Sequence, residues 1–388
     1  MLRVAQIGFF LDPQQREPQQ LLHDWPTMVD VAEAAAGAGA EVSVIQASSH
    51  QQTLTRADVS YHFLAREPQA PGLARTTALG RLLAELNADV LHVHGLGFPH
   101  EVLALAKLAP ATPILLQDHA DQPPRKWRRP LWRRAMSTAA GLCFCSSDQA
   151  VPFQDAGLVS ASTVVYEVPE GSSHFTPGDQ APARRATGLH GDPCVVWVGH
   201  LNENKDPLSV LDGVSLAVAR LPGLRLWCYF GSAPLLSAVR RRIAKDPKLS
   251  GRVHLMGSVP HEQIQAVMRA ADLFVLGSHR EGSGYALLEA MACGATPVVS
   301  DIPAFRSLTG GAGVGVLWPR GDARRLAEAL VSCWLTAGED RRAVVRAHFE
   351  RELSVEAIGR KLAAVYQDML DRRAAAPMPR RESGSGSR

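Results

Sequence analysis

Arg280-Glu281-Gly282-Ser283-Gly284-Tyr285-Ala286-Leu287-Leu288-Glu289 is the stretch whose reading organises the chain. Ahead of it, Ala271-Asp272-Leu273-Phe274-Val275-Leu276-Gly277-Ser278 is an apolar run of strand length. Behind it, Ala290-Met291-Ala292-Cys293-Gly294 completes a short helix closed by glycine. Glu281 therefore falls where a strand ends. Gly282 and Gly284 let the backbone come close to a ligand. A helix opening at Tyr285 offers amides without intrahelical partners at the positive end of its dipole. Glu289 lies about a turn inside that helix. Amides for an anion and carboxylates for hydroxyls suit an anionic, polyhydroxylated ligand.

The same strand-then-helix grammar extends outward in both directions. In the second half, strands are expected at 194–198, 224–230, 253–256, 272–276, 297–299 and 314–317. Helices are expected there at 206–220, 234–245, 261–270, 285–292 and 322–335, followed by 340–350 and 355–372. In the first half, strands are expected at 3–10, 41–46, 89–94, 113–117, 141–145 and 163–168, with helices at 26–36, 75–86, 101–108, 127–139 and 148–156. Alternation at this spacing, without tight hairpin signals, predicts an α/β protein with parallel sheets covered on both faces. A chain of 388 residues exceeds one ordinary core. The expected division is a first doubly wound, Rossmann-like domain over 1–168, a turn-rich linker over 169–192 and a second such domain over 193–350. A C-terminal helix over 351–373, packing back on the first domain, and a disordered tail over 374–388 complete it.

Composition narrows the function classes. The chain is 46% hydrophobic and 20% charged, with no unbroken apolar stretch of membrane-spanning length, and residues 1–10 read as a first strand rather than a signal peptide. Six cysteines fall in expected core elements, Cys143 and Cys145 alternate on one strand, and no CxxC pair occurs; a reducing cytosol fits. A net charge of +3 is too small to argue for nucleic acid. The most basic segment runs from Arg125 to Arg134 and carries Trp127 and Trp132. It reads either as a solvated helix face or as a patch for the anionic inner surface of a membrane or an acidic acceptor, with the two tryptophans as interfacial anchors.

Ligands of such sheets bind beyond the carboxyl ends of the strands, so those segments supply the candidates. After the first strand, residues 11–20 read as a mobile, proline-broken loop, and Asp24 as a cap for a helix with Pro26 at its first position. His92 and His94 share a strand face, but no third ligand stands at a helpful spacing, so no metal is expected. Gln117-Asp118-His119-Ala120-Asp121 sets His119 at a strand end. Gly199-His200-Leu201-Asn202-Glu203-Asn204-Lys205-Asp206-Pro207 runs from a strand through a polar turn into a helix, and Met256-Gly257-Ser258-Val259-Pro260 ends another strand. All would face the cleft between domains.

Glu281 and Glu289, seven residues apart, resemble the E-x7-E motif of retaining GT-B glycosyltransferases of family four, and REGSGYALLEAMACGATPVVS is similar to that family's signature. GHLNENKDP resembles its donor-phosphate turn, and DVLHVHG and LLQDHAD its first-domain strands. The resemblance implies a GT-B fold, with two Rossmann-like domains facing each other across a cleft. It also implies transfer of a sugar from a nucleotide-diphosphate sugar without metal or other cofactor. By the same resemblance Glu289 would hold the ribose, Glu281 would face the donor sugar, Lys205 would neutralise the diphosphate and His119 would contact the sugar. Backbone amides of Gly282, Ser283, Gly284, Tyr285 and Ala286, with Gly199, would meet sugar and diphosphate, and Met256 and Val259 would line the base pocket. The chain departs from the family pattern in carrying His200 where arginine is usual and Ser283 where phenylalanine is common. It also lacks the glycine-rich turn after the first strand. The absence of Asp-x-Asp agrees with cationic side chains, rather than a bridging metal, facing the diphosphate. The alternatives are a weakened GT-B binding protein and a GT-B phosphorylase or epimerase.

Overall fold

The apolar runs of the sequence become the buried strands of two sheets. The computed structural model describes residues 1–66, 72–160, 162–336, 338 and 340–375. The first sheet contains β1 (Arg3–Gly8), β2 (Glu41–Ser48), β3 (Gln52–Arg56), β4 (Val59–Ala65), β5 (Val90–His94), β6 (Ile114–Gln117), β7 (Gly141–Phe144) and β8 (Val165–Glu167). Their order is β3-β4-β2-β1-β5-β6-β7-β8, parallel throughout except for the β3–β4 pair. The second sheet contains β9 (Cys194–Val198), β10 (Arg225–Tyr229), β11 (Val253–Gly257), β12 (Leu273–Leu276), β13 (Thr296–Ser300) and β14 (Val316–Trp318), all parallel, in the order β11-β10-β9-β12-β13-β14. Strand order reverses beside β1 and β5 in one sheet and beside β9 and β12 in the other. Those are the switch points at which doubly wound sheets bind ligands.

Fifteen α-helices of the described residues cover these sheets. They are α1 (Pro18–Asp24), α2 (Pro26–Gly37), α3 (Thr77–Leu86), α4 (Pro99–Leu108), α5 (Arg129–Met136), α6 (Val151–Asp155), α7 (Gln180–Thr187) and α8 (Pro207–Ala217). The chain continues through α9 (Leu236–Ala244), α10 (His261–Ala270), α11 (Tyr285–Ala292), α12 (Pro303–Leu308), α13 (Ala323–Thr336), α14 (Arg341–Glu352) and α15 (Val355–Ala375). On one face of the first sheet, Val29, Val31 and Ala35 of α2 and Ile358, Leu362 and Tyr366 of α15 pack over Val4, Val42 and Val44. On the other, Leu79, Val102, Leu105 and Trp132 pack over Ile7, Ile45 and Leu91. Cys145, at the end of β7, belongs to the core of the second domain, so the two halves meet through buried apolar surface.

Several expectations change. The β3–β4 hairpin was not anticipated: its turn is Ala57-Asp58, both at positive φ (46° and 62°), where glycine or asparagine would have signalled it. The stretch read as a mobile loop is held by Arg16, which bonds both oxygens of Asp12, and it then enters α1 at Pro18. Asp24 does not cap α2; Trp25 occupies the cap position without a side-chain bond, and Asp24 pairs with Arg16 instead. The segment read as linker contains α7, whose Arg184 pairs with Asp272. Helix α15 extends through Ala374 and Ala375, residues assigned to the tail; positions 376–388 lie outside the described residues.

Candidate active site in the interdomain cleft

Lys205 and Glu281 come from turns that pack tightly on one another. A Cβ on Gly277 would lie 3.1 Å from Val210 Cγ2 and 3.2 and 3.3 Å from the carbonyl oxygens of Asp206 and Lys205, so glycine lets the exit of β12 sit closely against the turn after β9. Asn202 accepts from the Lys205 amide at 3.0 Å. Asp206, at φ 46°, caps α8 through the Ser209 amide. Asn204 donates to the Arg280 carbonyl at 2.9 Å and accepts from the His279 amide at 2.7 Å. These cross-links bring the Lys205 ammonium onto the Glu281 carboxylate as an ion pair, with side chains 17% and 12% exposed. A fixed cation and a fixed anion thus stand side by side at the second sheet's switch point.

Gly284, at φ 72°, starts α11, and a Cβ there would lie 2.7 Å from the ring of Phe305. One turn on, the buried carboxylate of Glu289 accepts from His261 Nε2 at 2.6 Å. That bond holds the His261 pKa above its ordinary value against the opposing effect of burial. His200, at the end of β9, accepts from the Ser232 amide through Nδ1 at 3.2 Å, which leaves Nε2 as the proton-bearing nitrogen of a neutral ring. Val259 packs partly against the second core, whereas Met256, near the carboxyl end of β11, is exposed. No hydrogen bond joins either residue to the two glutamates among the described residues.

The first domain contributes a chain of hydrogen bonds ending in the cleft. Gln6 Nε2 faces the Val31 carbonyl and the Tyr366 hydroxyl, both at 3.4 Å. A carbonyl can only accept, so the Gln6 oxygen is the atom 3.2 Å from His94 Nε2, and that nitrogen must donate. His94 is partly buried beside the His92 and His119 rings, and its pKa lies well below the ordinary value, through burial and then those two rings; it is neutral. Its Nδ1 is therefore an acceptor for His119 Nε2–H at 3.0 Å. The other His119 nitrogen, Nδ1, stands 2.5 Å from Glu170 Oε2, while Glu170 Oε1 accepts from the Ser283 amide at 2.9 Å. Protons on both nitrogens make His119 an imidazolium paired with Glu170. Burial pulls its pKa down, but the Glu170 bond, the Glu170 charge, Asp118 and Asp121 together raise it above the ordinary value.

Glu170 is the residue that sequence reading missed most consequentially. It bridges His119 of the first domain to the amide of Ser283 in the second, and its own amide donates to Ser283 Oγ at 2.9 Å. A Cβ on Gly282 would fall 2.1 Å from Glu170 Oε1, and one on Gly171 2.1 Å from the Tyr285 hydroxyl. The Gln149 amide donates to the carbonyls of Glu281 and Gly282 at 3.0 and 3.2 Å, and the Tyr285 hydroxyl donates to Thr27 at 2.9 Å. The signal for Glu170 was its place directly after a first-domain strand, the rule that flagged His119; its turn-rich neighbours drew it into the linker. His92 Nδ1 bonds the Tyr366 hydroxyl at 2.8 Å, and no group of three His, Cys, Asp or Glu side chains among the described residues is arranged to hold a metal ion.

Comparison with known proteins agrees with this fold. Residues 192–335 match the sequence model described as glycosyl transferases group 1, and residues 27–166 match glycosyltransferase family 4. A curated relative is the GDP-mannose:cellobiosyl-diphosphopolyprenol alpha-mannosyltransferase of Xanthomonas campestris, 27% identical over 305 residues and 76% of each chain. Similar solved structures include a glycosyltransferase from Rickettsia africae (TM-score 0.71, 13% identity, 95% of this chain and 98% of that one). Another is Anabaena HepE in complex with UDP (TM-score 0.69, 16% identity, 95% and 100%). The two matched models between them cover most of both domains, and the chain belongs to the group 1 glycosyltransferases, GT-B enzymes that move a sugar from a nucleotide sugar to an acceptor.

Proposed function

We propose that the donor lies along the second sheet's switch point and that transfer proceeds with retention and without metal. The observation that carries this is the Lys205–Glu281 pair set beside the amino end of α11. The diphosphate takes the Lys205 ammonium and the first amides of α11, with His200 close by on the neighbouring strand end; Glu289, oriented by His261, takes the ribose hydroxyls; Glu281 faces the sugar. As the bond from the anomeric carbon to the diphosphate oxygen breaks, negative charge grows on the leaving group, where the fixed cation and helix amides stabilise it most. Glu281 is engaged by Lys205, which makes it a poor covalent nucleophile. The acceptor oxygen then attacks from the side the diphosphate leaves, and the departing diphosphate oxygen takes the acceptor's proton. His119, held as a cation by Glu170, adds positive charge from the first-domain wall.

A panel of UDP-, GDP- and ADP-sugars assayed for turnover in the presence of EDTA tests the whole reading. Transfer or slow hydrolysis of one donor, lost in Lys205→Ala and accompanied by loss of donor binding in Glu289→Ala, is the expected result. Indifference of turnover to both substitutions, or its abolition by EDTA alone, contradicts it.

The surface supports a second statement, about the acceptor's carrier. Trp127 is 75% exposed, and Arg125, Lys126, Arg128 and Arg134 make no ion pair among the described residues. The segment begins four residues beyond Asp121, and no helix of the described residues is long and apolar enough to cross a membrane. An unpaired basic face with an exposed tryptophan fits peripheral binding to anionic lipid and a lipid-linked acceptor, the kind named for the Xanthomonas relative. Flotation with phosphatidylglycerol vesicles, absent with phosphatidylcholine and abolished by salt or by glutamine at those four positions, is the expected outcome; equal flotation with both lipids removes the proposal.

A further inference from the structure

A cavity of about 650 Å³ opens in the first domain between the loop after β1, the α1–α2 junction and the end of β5, and it reaches His94 and His119. Its size lies within the roughly 300–1,000 Å³ of small-molecule sites. Two features of its wall define what it takes. The first is aromatic: Phe10, half exposed, and Trp25 stand 5.7 Å apart between ring centroids, and Phe98 lines the opposite side against Phe9. The second is charge that is already spent. Arg16 donates to both oxygens of Asp12 at 2.9 and 3.0 Å and to Asp24 at 2.9 Å, with its guanidinium 5.6 Å over the Trp25 ring. The Arg16 bonds hold the Asp12 pKa at about 2, so this carboxylate is ionised throughout the working range.

Among the described residues the lining has no lysine and no second arginine, while Asp12, Asp24 and Asp121 all face it. The remaining cation, His119, is occupied by Glu170. Negative potential therefore prevails, and a phosphate or carboxylate entering here would lose its hydration with no free cation in exchange. An uncharged sugar meets a different environment. Its C–H face can stack on the Trp25 indole, and its hydroxyls can donate to carboxylate oxygens, the acceptors such a ring lacks internally. We infer that the acceptor presents an uncharged sugar ring to this cavity, stacked on Trp25 and Phe10 beside the Asp12–Arg16–Asp24 cluster, and that phosphorylated sugars and polyols are excluded. A charged carrier can extend outside the cavity; the ring that receives the new bond is neutral.

The inference rests on the glycosyltransferase reading of the cleft, and the experiment separates the two. Saturation-transfer NMR on the intact protein with saturating UDP or GDP would compare cellobiose, maltose and methyl glucoside with glucose 6-phosphate and inositol 1-phosphate. A thermal shift by the nucleotide is read separately, and its absence counts against the donor site alone. At least one neutral glycan is expected to bind at least about tenfold more tightly than either phosphate, a difference of about 1.4 kcal/mol. Trp25→Ala should remove that binding and Phe10→Ala, at an exposed position, should weaken it. Asp24→Asn should narrow the gap by strengthening the phosphorylated ligands. Preferential binding of a phosphorylated ligand, no binding of any neutral glycan, or neutral binding that survives both aromatic substitutions overturns the inference.

Discussion

At the scale of single residues, His119 carries two hydrogen bonds that a neutral ring cannot both donate, and this makes its protonation a lever on the site. Glu170, Asp118, Asp121, His94 and His92 all act on it. Burial, with Asp121 nearby, raises Asp118 to about 7, so its charge appears only toward neutrality, where it further supports the His119 cation. Because the folded His119 pKa is raised above 6.5, the cation and its stabilising contribution are complete below 6.5. Both are lost as pH rises through the folded value. Glu170→Gln removes the charge and one acceptor, so the alkaline fall of kcat/KM should move to lower pH, as should the His119 titration followed by NMR without substrate. Unchanged titration in both readouts contradicts the pairing. Glu289→Ala should instead raise the donor Kd by ten- to a hundredfold, through loss of a charged hydrogen-bond acceptor worth about 1.5–3 kcal/mol, and leave that titration in place. Glu281, Glu289 and Lys205 were visible in the sequence because local spacing sets their places at strand ends and on a helix. His261 and Glu170 were not, because each gains its partner only when distant segments meet.

The elements show the same division. Helix α11 and strand β12 follow from an apolar run, two glycines and a closing glycine, and they form within a residue of the expected bounds. Both glycines are needed, for different reasons, and substitution separates them. In Gly284→Ala the new Cβ meets the Phe305 ring at 2.7 Å and the backbone stays at φ 72°, so the fold should lose about 1–3 kcal/mol, read as a lower denaturation midpoint. Gly282 is not at positive φ, and its added methyl displaces the Glu170 carboxylate instead. Gly282→Ala should therefore reproduce the pH shift of Glu170→Gln with nearly full stability; a large stability loss without a pH effect would contradict this. Elements whose signals lie outside local pattern escaped. The β3–β4 turn uses Ala57-Asp58 in a conformation that glycine and asparagine usually advertise, and α12, six residues long, is too short for periodicity to register.

Across the whole molecule, the last helix joins the two domains to the chemistry. Helix α15 follows the second domain in sequence yet packs on the first sheet, with Gly359 so close to α2 that a Cβ would sit 2.2 Å from the Ala34 carbonyl oxygen. Seven residues on, its Tyr366 hydroxyl meets His92 and Gln6, and Gln6 sets the tautomer of His94 that makes His119 a donor. Docking of α15 and protonation of a cleft residue are thus parts of one buried polar network, in which an unmatched group costs about 1–3 kcal/mol. Two substitutions test the connection at different strengths. Tyr366→Phe keeps the packing and removes the hydroxyl, leaving His92 Nδ1 without its partner; stability should fall by about that amount and the His119 titration should shift while donor affinity holds. Gly359→Val forces the helix away from a backbone atom that cannot yield, so α15 should undock, and hydrogen exchange should rise along both α15 and α2. If Tyr366→Phe loses stability but leaves the His119 titration where it was, the helix is a structural strap only and the network does not reach the cleft.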